Sequence, residues 1–142
     1  MHLNILTPVK ALYDDEIDEL IIPTVGGEIA VLPNHVNLFT KIEPGEMVIK
    51  AKGREQYLAI TGGFLQIQKN VITVLADYAV RSEEIEADKA LAAQKRAEEI
   101  LKKKEEGISE QDYAVARSEM TRALLELKIS QRRRHARNIQ TG

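Results

Sequence analysis

The feature that most constrains this chain is a change of pattern at Ser82. All four prolines lie within the first 44 residues, and six of the eight glycines precede Phe64. These residues cut the first part into short runs rich in β-formers: "LNILT", "IDELIIP", "EIAVLP", "EMVIKAK", "QYLAITG", "FLQIQ" and "VITVLAD". Gly26-Gly27, Pro44-Gly45, Gly53 and Gly62-Gly63 separate several of them. Short strands at regular spacing, bounded by turn residues, point to an antiparallel sandwich or barrel. In "FLQIQ" a period of two puts Leu65 and Ile67 on one face and Phe64, Gln66 and Gln68 on the other.

After Ser82 the run "SEEIEADKALAAQKRAEEILKKKEEG" has almost no β-branched residue. Ala90, Ala93, Ala97, Ile100 and Leu101 fall on one helical stripe. The spacing predicts a helix with Ser82 as N-cap, acids in its first turn and Lys102–Lys104 in its last, as the helix dipole favours. Gly107 ends it. Ser109, with Asp112 three residues on, starts a second helix in the manner of a capping box. Tyr113, Ala116, Met120, Leu124 and Leu127 continue its stripe. So short a connection predicts an antiparallel helix hairpin, in which the alanines of the first helix let the second approach closely. The chain therefore divides into residues 1–82 and 83–142. Each part is near the lower size limit for a self-sufficient core, so the hairpin is expected to be marginally held and able to re-dock.

Charge and composition exclude several classes of function. The 142 residues hold 20 basic and 22 acidic side chains, so no overall field favours nucleic acid or a membrane. The parts differ: residues 1–80 carry 6 basic and 10 acidic groups, a net of −4, and residues 81–142 carry 14 and 12, a net of +2. Without cysteine there is no disulfide and no thiolate metal site. His2, His35 and His135 are too scattered to suggest a metal cluster. No apolar run approaches the ~20 residues of a membrane span, and "MHLNILTPVK" does not read as a signal peptide. Phosphate-loop, GxGxxG, GxSxG and HExxH signatures are absent, and no Ser/His/Asp set suggests a nucleophile, so the chain does not read as an enzyme. The acids of "DDEIDE" (Asp14–Glu19) read as a charged strand edge that discourages aggregation, with a cation site as the alternative. "LPNH" (Leu32–His35) is a turn with a histidine, either simply exposed or a contact loop. "KISQRRRHARN" (Lys128–Asn138) holds five basic residues and no acid. That exceeds what a helix dipole needs and points to a partner with an acidic surface. Nucleic acid fits poorly, because aromatic residues are few and the first part is acidic.

Two separated stretches carry a family resemblance. "GGFLQIQKNVITVLADYA" and "GEIAVLPNHVNLFTKIEPG" resemble matching segments, in the same order, of the epsilon subunits of bacterial rotary (F-type) ATP synthases. "LNILTP" is similar to that family's opening strand, and the alanine-rich hairpin to its C-terminal part. The resemblance spans essentially the whole chain. Asn34 and Val36-Asn37 depart from the family's Gly and Ala-Pro, while His35 is in place.

The resemblance implies a ten-stranded β-sandwich followed by an α-helical hairpin, in a non-catalytic central-stalk subunit. It implies that the sandwich binds the gamma subunit and sits on the rotor ring of c subunits. Glu28, Asn34 and His35 would face ring and gamma. It implies a hairpin that folds down or extends along gamma, and that restrains ATP hydrolysis when extended. Arg122, Lys128, Arg132, Arg133 and Arg134 would then meet acidic loops of the alpha and beta subunits. The expected location is the cytoplasmic face of the cell inner membrane, peripheral and without insertion. No cofactor is required. Many family members carry Ile/Leu-Asp-x-x-Arg-Ala at the start of the first helix, which in some helps bind a regulatory ATP. Here those positions read Ile85-Glu86-Ala87-Asp88-Lys89-Ala90, with Arg96 and Arg122 as further cations. An ammonium cannot make the guanidinium's planar, two-pronged contact. The expectation is ATP bound weakly or not at all, with Glu86 and Lys89 an ordinary surface pair. The competing reading is a stand-alone interaction protein with a coiled-coil hairpin.

Overall fold

A computed structural model describes the backbone of residues 1–141 and the side chains of 1–103 and 106–133. Contacts divide the chain into two units, Met1–Glu83 and Glu84–Gly142. The first holds ten strands: β1 (His2–Leu6), β2 (Ala11–Glu16), β3 (Glu19–Thr24), β4 (Gly27–Val31), β5 (Leu38–Ile42), β6 (Gly45–Ala51), β7 (Arg54–Ile60), β8 (Gly63–Gln68), β9 (Val71–Ala76) and β10 (Ala79–Arg81). Their order in the sheet is β10-β7-β6-β3-β5-β8-β9-β1-β2, with β4 paired to β3 off this path. Strands β3 and β5 meet at the single bridge Thr24–Ile42, and this corner lets the sheet fold into two facing layers. All pairs are antiparallel except β1 with β9, where His2–Leu6 runs parallel to Val71–Leu75.

Alternation along the strands builds the core. Leu3 and Ile5 from β1, Leu20 and Ile22 from β3, Met47 and Ile49 from β6, Leu65 and Ile67 from β8, and Ile72 and Val74 from β9 are all buried in one cluster. Two hairpins turn through residue pairs with positive φ, Lys52-Gly53 and Lys69-Asn70, as the twist of two-residue hairpins requires. At the β3–β4 turn, Thr24 Oγ1 donates to the Gly27 carbonyl at 2.6 Å and accepts from Gly26 N–H at 3.2 Å.

The second unit is a helix pair: α1 (Ala87–Lys102), a short 3-10 turn over Lys103–Glu106, then α2 (Glu110–Thr141). Ser82 is not the N-cap of α1. It lies in a separate 3-10 turn, buried, and its hydroxyl donates to Glu46 on β6 at 2.7 Å. Helix α1 starts five residues later, capped by Glu86 without a side-chain bond. A hydrogen bond to a carboxylate is charge-assisted and stronger than one between neutral groups, so the hydroxyl serves the sandwich. Gly107 takes φ 94° and ends the turn, and Asp112 N–H donates to Ser109 Oγ at 3.1 Å, which starts α2 as the capping pattern predicts. The seam between the helices is built of small residues. Ala90 and Ala97 of α1 and Ala116 and Ala123 of α2 are buried, as is Ile129. Leu124, placed on the stripe by spacing alone, is 48% exposed instead. A straight helix drifts relative to its partner, and the small side chains take the closest approach.

Candidate functional site: a helix-pair groove and a sandwich loop

Within the helix pair, a groove of about 440 Å³ opens between α1 and α2. Its floor is Ala90, Ala92, Ala93 and Ala123, and its walls are Lys89, Arg96, Glu119, Arg122 and Glu126. Four of the five residues singled out for ATP, Lys89, Ala90, Arg96 and Arg122, line it together. Glu86 does not; its carboxylate pairs with Lys89 Nζ at 3.2 Å across an exposed i,i+3 step.

Sequence reading missed Glu119 and Glu126. Arg122 Nε donates to Glu126 Oε1 at 3.1 Å, and Glu126 is only 12% exposed. The i,i+4 spacing of this pair was a legible signal. Three cations face two carboxylates, leaving a net of +1 in the groove. A nucleoside triphosphate carries about four negative charges, and the carboxylates of Glu119, exposed, and Glu126, half-buried, repel it.

In the sandwich, Glu28 is exposed, the second residue of β4 and the register partner of Pro23. Asn34 and His35 follow in the loop beyond the other end of β4, with Glu28 and Val31 separated by about 10 Å along the strand. Asn34 adopts φ 68°, a conformation asparagine tolerates better than most residues. Its amide donates to Asn70 Oδ1 at 2.6 Å, and Asn70 Nδ2 donates back to Asn34 Oδ1 at 3.1 Å. This asparagine pair ties the loop to the β8–β9 turn. His35 is half-buried; its backbone N–H donates to Leu32 O at 3.1 Å and its Nδ1 donates to the Val36 carbonyl at 2.7 Å. On the outer sheet face, Phe39 and Phe64 stack with ring centroids 5.6 Å apart, and Phe39 is 66% exposed.

At the basic end of α2, Lys128 and Arg132 are exposed. Arg133 turns inward and Nη2 donates to the Ile85 carbonyl at 3.2 Å. Arg134 lies outside the residues whose side chains are described. Among the described residues, no cluster of three histidine or carboxylate side chains is placed to hold a metal, and no helix is long and apolar enough to cross a membrane.

Comparison with known proteins adds to this geometry. Residues 1–82 match the family described as "ATP synthase, Delta/Epsilon chain, beta-sandwich domain". The chain is 37% identical over 133 residues to the ATP synthase epsilon chain of Nitrosococcus oceani, covering 93% of each. It is 38% identical over 130 residues to that of Caldanaerobacter subterraneus subsp. tengcongensis, covering 91% of this chain and 92% of the relative. A chain in the cryo-EM structure of the Euglena gracilis mitochondrial ATP synthase shares the fold at TM-score 0.65 and 22% identity, over 86% of this chain and 77% of that one.

Proposed function

Because the chain belongs to the ATP synthase epsilon-chain family, we propose that its sandwich is the fixed stalk contact and its helix pair the movable restraint. The protein is a non-catalytic central-stalk subunit that couples the gamma subunit to the membrane rotor ring and inhibits ATP hydrolysis through its C-terminal helices. Its place is peripheral, with the rest of the ATP synthase, and the proposed side is the cytoplasmic face of the inner membrane.

The observation that supports the division of labour is that the chain packs as two compact units. A sandwich with a buried aliphatic core is rigid. A helix pair joined along a narrow alanine seam buries little and can change partners. In this reading Glu28, Asn34 and His35 face ring and gamma. In the extended state Arg122, Lys128, Arg132, Arg133 and Arg134 meet carboxylates of the alpha and beta subunits. Exposed pairs give about 0.2–1 kcal/mol each, so several act together to shift the balance of states.

The test is a reconstituted synthase lacking residues 84–142. Hydrolysis should rise while assembly stays intact; unchanged hydrolysis removes the restraint reading, and failed assembly removes the assignment of the stalk contacts to the sandwich. Cysteines introduced at 28 or 35 should crosslink to ring or gamma, and crosslinks to the catalytic head would reverse the orientation.

A second reading concerns nucleotide. The paired carboxylate Glu126 and the ammonium of Lys89 both weaken the groove as a triphosphate site, so ATP binds weakly or not at all. Calorimetric titration of the isolated chain decides this. Tight binding at micromolar ATP contradicts it, whereas the pair Lys89→Arg and Glu126→Gln should tighten whatever binding is seen.

A further inference from the structure

Arg133, in the basic run near the end of α2, turns its side chain back into the helix pair. Its Nη2 donates to the Ile85 carbonyl at 3.2 Å across 48 positions of sequence. Its Nε is buried and makes no hydrogen bond. Ile85 is buried, and Ile129, one turn before Arg133 and on the same helical face, is buried as well. The segment leading into α1 is thus clasped by the far part of α2 through a half-buried guanidinium whose Nε is buried and unsatisfied. A neutral carbonyl takes one prong of a fork made for two. A carboxylate would accept from Nε and Nη2 together, in the planar, charge-assisted geometry that guanidinium favours.

We propose that Arg133 is a latch that holds the helix pair closed on the Ile85 carbonyl and releases it by exchanging that carbonyl for a carboxylate of a partner. The unsatisfied Nε makes the closed state readily reversible, because opening removes a buried orphan donor along with the bond it breaks. The closed contact also withholds Arg133 from any acidic surface, so closure and carboxylate binding exclude each other through a single side chain. The latch is a property of the isolated chain and stands whether or not the catalytic head is the acidic partner.

The absence of cysteine permits a direct test. Asp88→Cys and Gln131→Cys, both at exposed positions, place spin labels on α1 and on α2 in the full-length chain. Pulsed dipolar spectroscopy should give one short distance for the otherwise unaltered chain. Arg133→Ala should raise the long-distance population roughly tenfold, the effect of losing one charged hydrogen bond. Arg133→Lys keeps the charge and stem but lacks Nε and the fork; it should open the pair too, with helix content by circular dichroism unchanged. Should Arg133→Ala lose helix, the Arg133→Lys result decides. Lys95→Ala, removing an exposed cation elsewhere on α1, should leave the distances unmoved. Hexaglutamate added to the labelled chain should increase the long-distance population in a saturable way. Coincident distances in the Arg133 variants and the unaltered chain would overturn the latch. So would equal opening by Lys95→Ala. A chain indifferent to hexaglutamate would overturn the exchange.

Discussion

A β-carbon at Gly63 would stand 1.9 Å from the Leu75 carbonyl oxygen on the neighbouring strand, and the residue already holds φ 134°. Both facts demand glycine. Gly63→Ala should lower stability by about 2–4 kcal/mol, because neither backbone can yield without breaking the β8–β9 ladder. Gly53, with φ 74° but open space around it, should lose only roughly 1–2 kcal/mol as alanine. Chemical denaturation of the two variants separates a clash from a conformational preference. His2 is a second decisive residue. Its Nε2 lies 2.5 Å from Asp14 and its Nδ1 3.0 Å from Glu16, across the β1–β2 edge. The hydrogen bond to Asp14, then that to Glu16, holds its pKa above the ordinary 6.5. The N-terminal amine and then His2 hold Glu16 below its ordinary value of 4.5. The histidine's contribution to stability is complete below 6.5 and is lost as pH rises through the raised folded value. That of Glu16 is present above 4.5 and is lost as pH falls through its lowered folded value. Thermal melts of His2→Gln and of the unaltered chain should therefore differ most between those limits and converge toward alkaline pH. A constant gap at every pH would refute the coupling.

Between elements, the alanine seam of the helix pair is the most exacting surface. Ala97 is fully buried where α1 meets α2. Replacing it with leucine inserts volume that the partner helix cannot absorb and should cost about 1–3 kcal/mol. The loss should be confined to the second unit, visible as faster amide exchange in α1 and α2 with protection in β8 and β9 unchanged. Equal loss in the strands would mean that the units do not respond separately. The lengths of the helices sharpen the point. Helix α2 has 32 residues and α1 has 16, about 48 Å against 24 Å, so half of α2 runs past its partner. Ile129 and Arg133 lie in that longer half, where Arg133 reaches the Ile85 carbonyl just ahead of α1.

For the whole molecule, the two units predict unequal autonomy. Residues 1–83 close a sheet corner, two layers and a continuous aliphatic core, and should fold alone with a cooperative melt. Residues 84–142 bury mainly alanines and should melt broadly when separated, since isolated helices owe most of their stability to packing. Circular dichroism of the two fragments checks both statements. A cooperative helix fragment would contradict the marginal hold on which a movable restraint depends.

Much of this was legible in the chain itself, because local rules govern it. The alternation in "FLQIQ" fixes which side chains of β8 face inward, the positive-φ residues fall at glycine and asparagine turns, and Ser109 with Asp112 marks the start of α2. The sandwich followed by a helix hairpin follows from those periods and their punctuation. Other features needed the folded chain. The parallel pairing of β1 with β9 joins segments some seventy residues apart, and no local period encodes which distant strands become neighbours. Ser82 has the sequence context of a cap, yet its hydroxyl serves Glu46, 36 positions away. Lys89, Arg96 and Arg122 could be named as cations from sequence, but their convergence with Glu119 and Glu126 exists only when α1 and α2 pack. Arg133 reads as one more exposed charge in a basic run until the helix pair closes and brings the Ile85 carbonyl within its reach. Periodicity is a property of neighbours along the chain, whereas pairing, desolvation and charge balance depend on neighbours in space, which only the tertiary fold supplies.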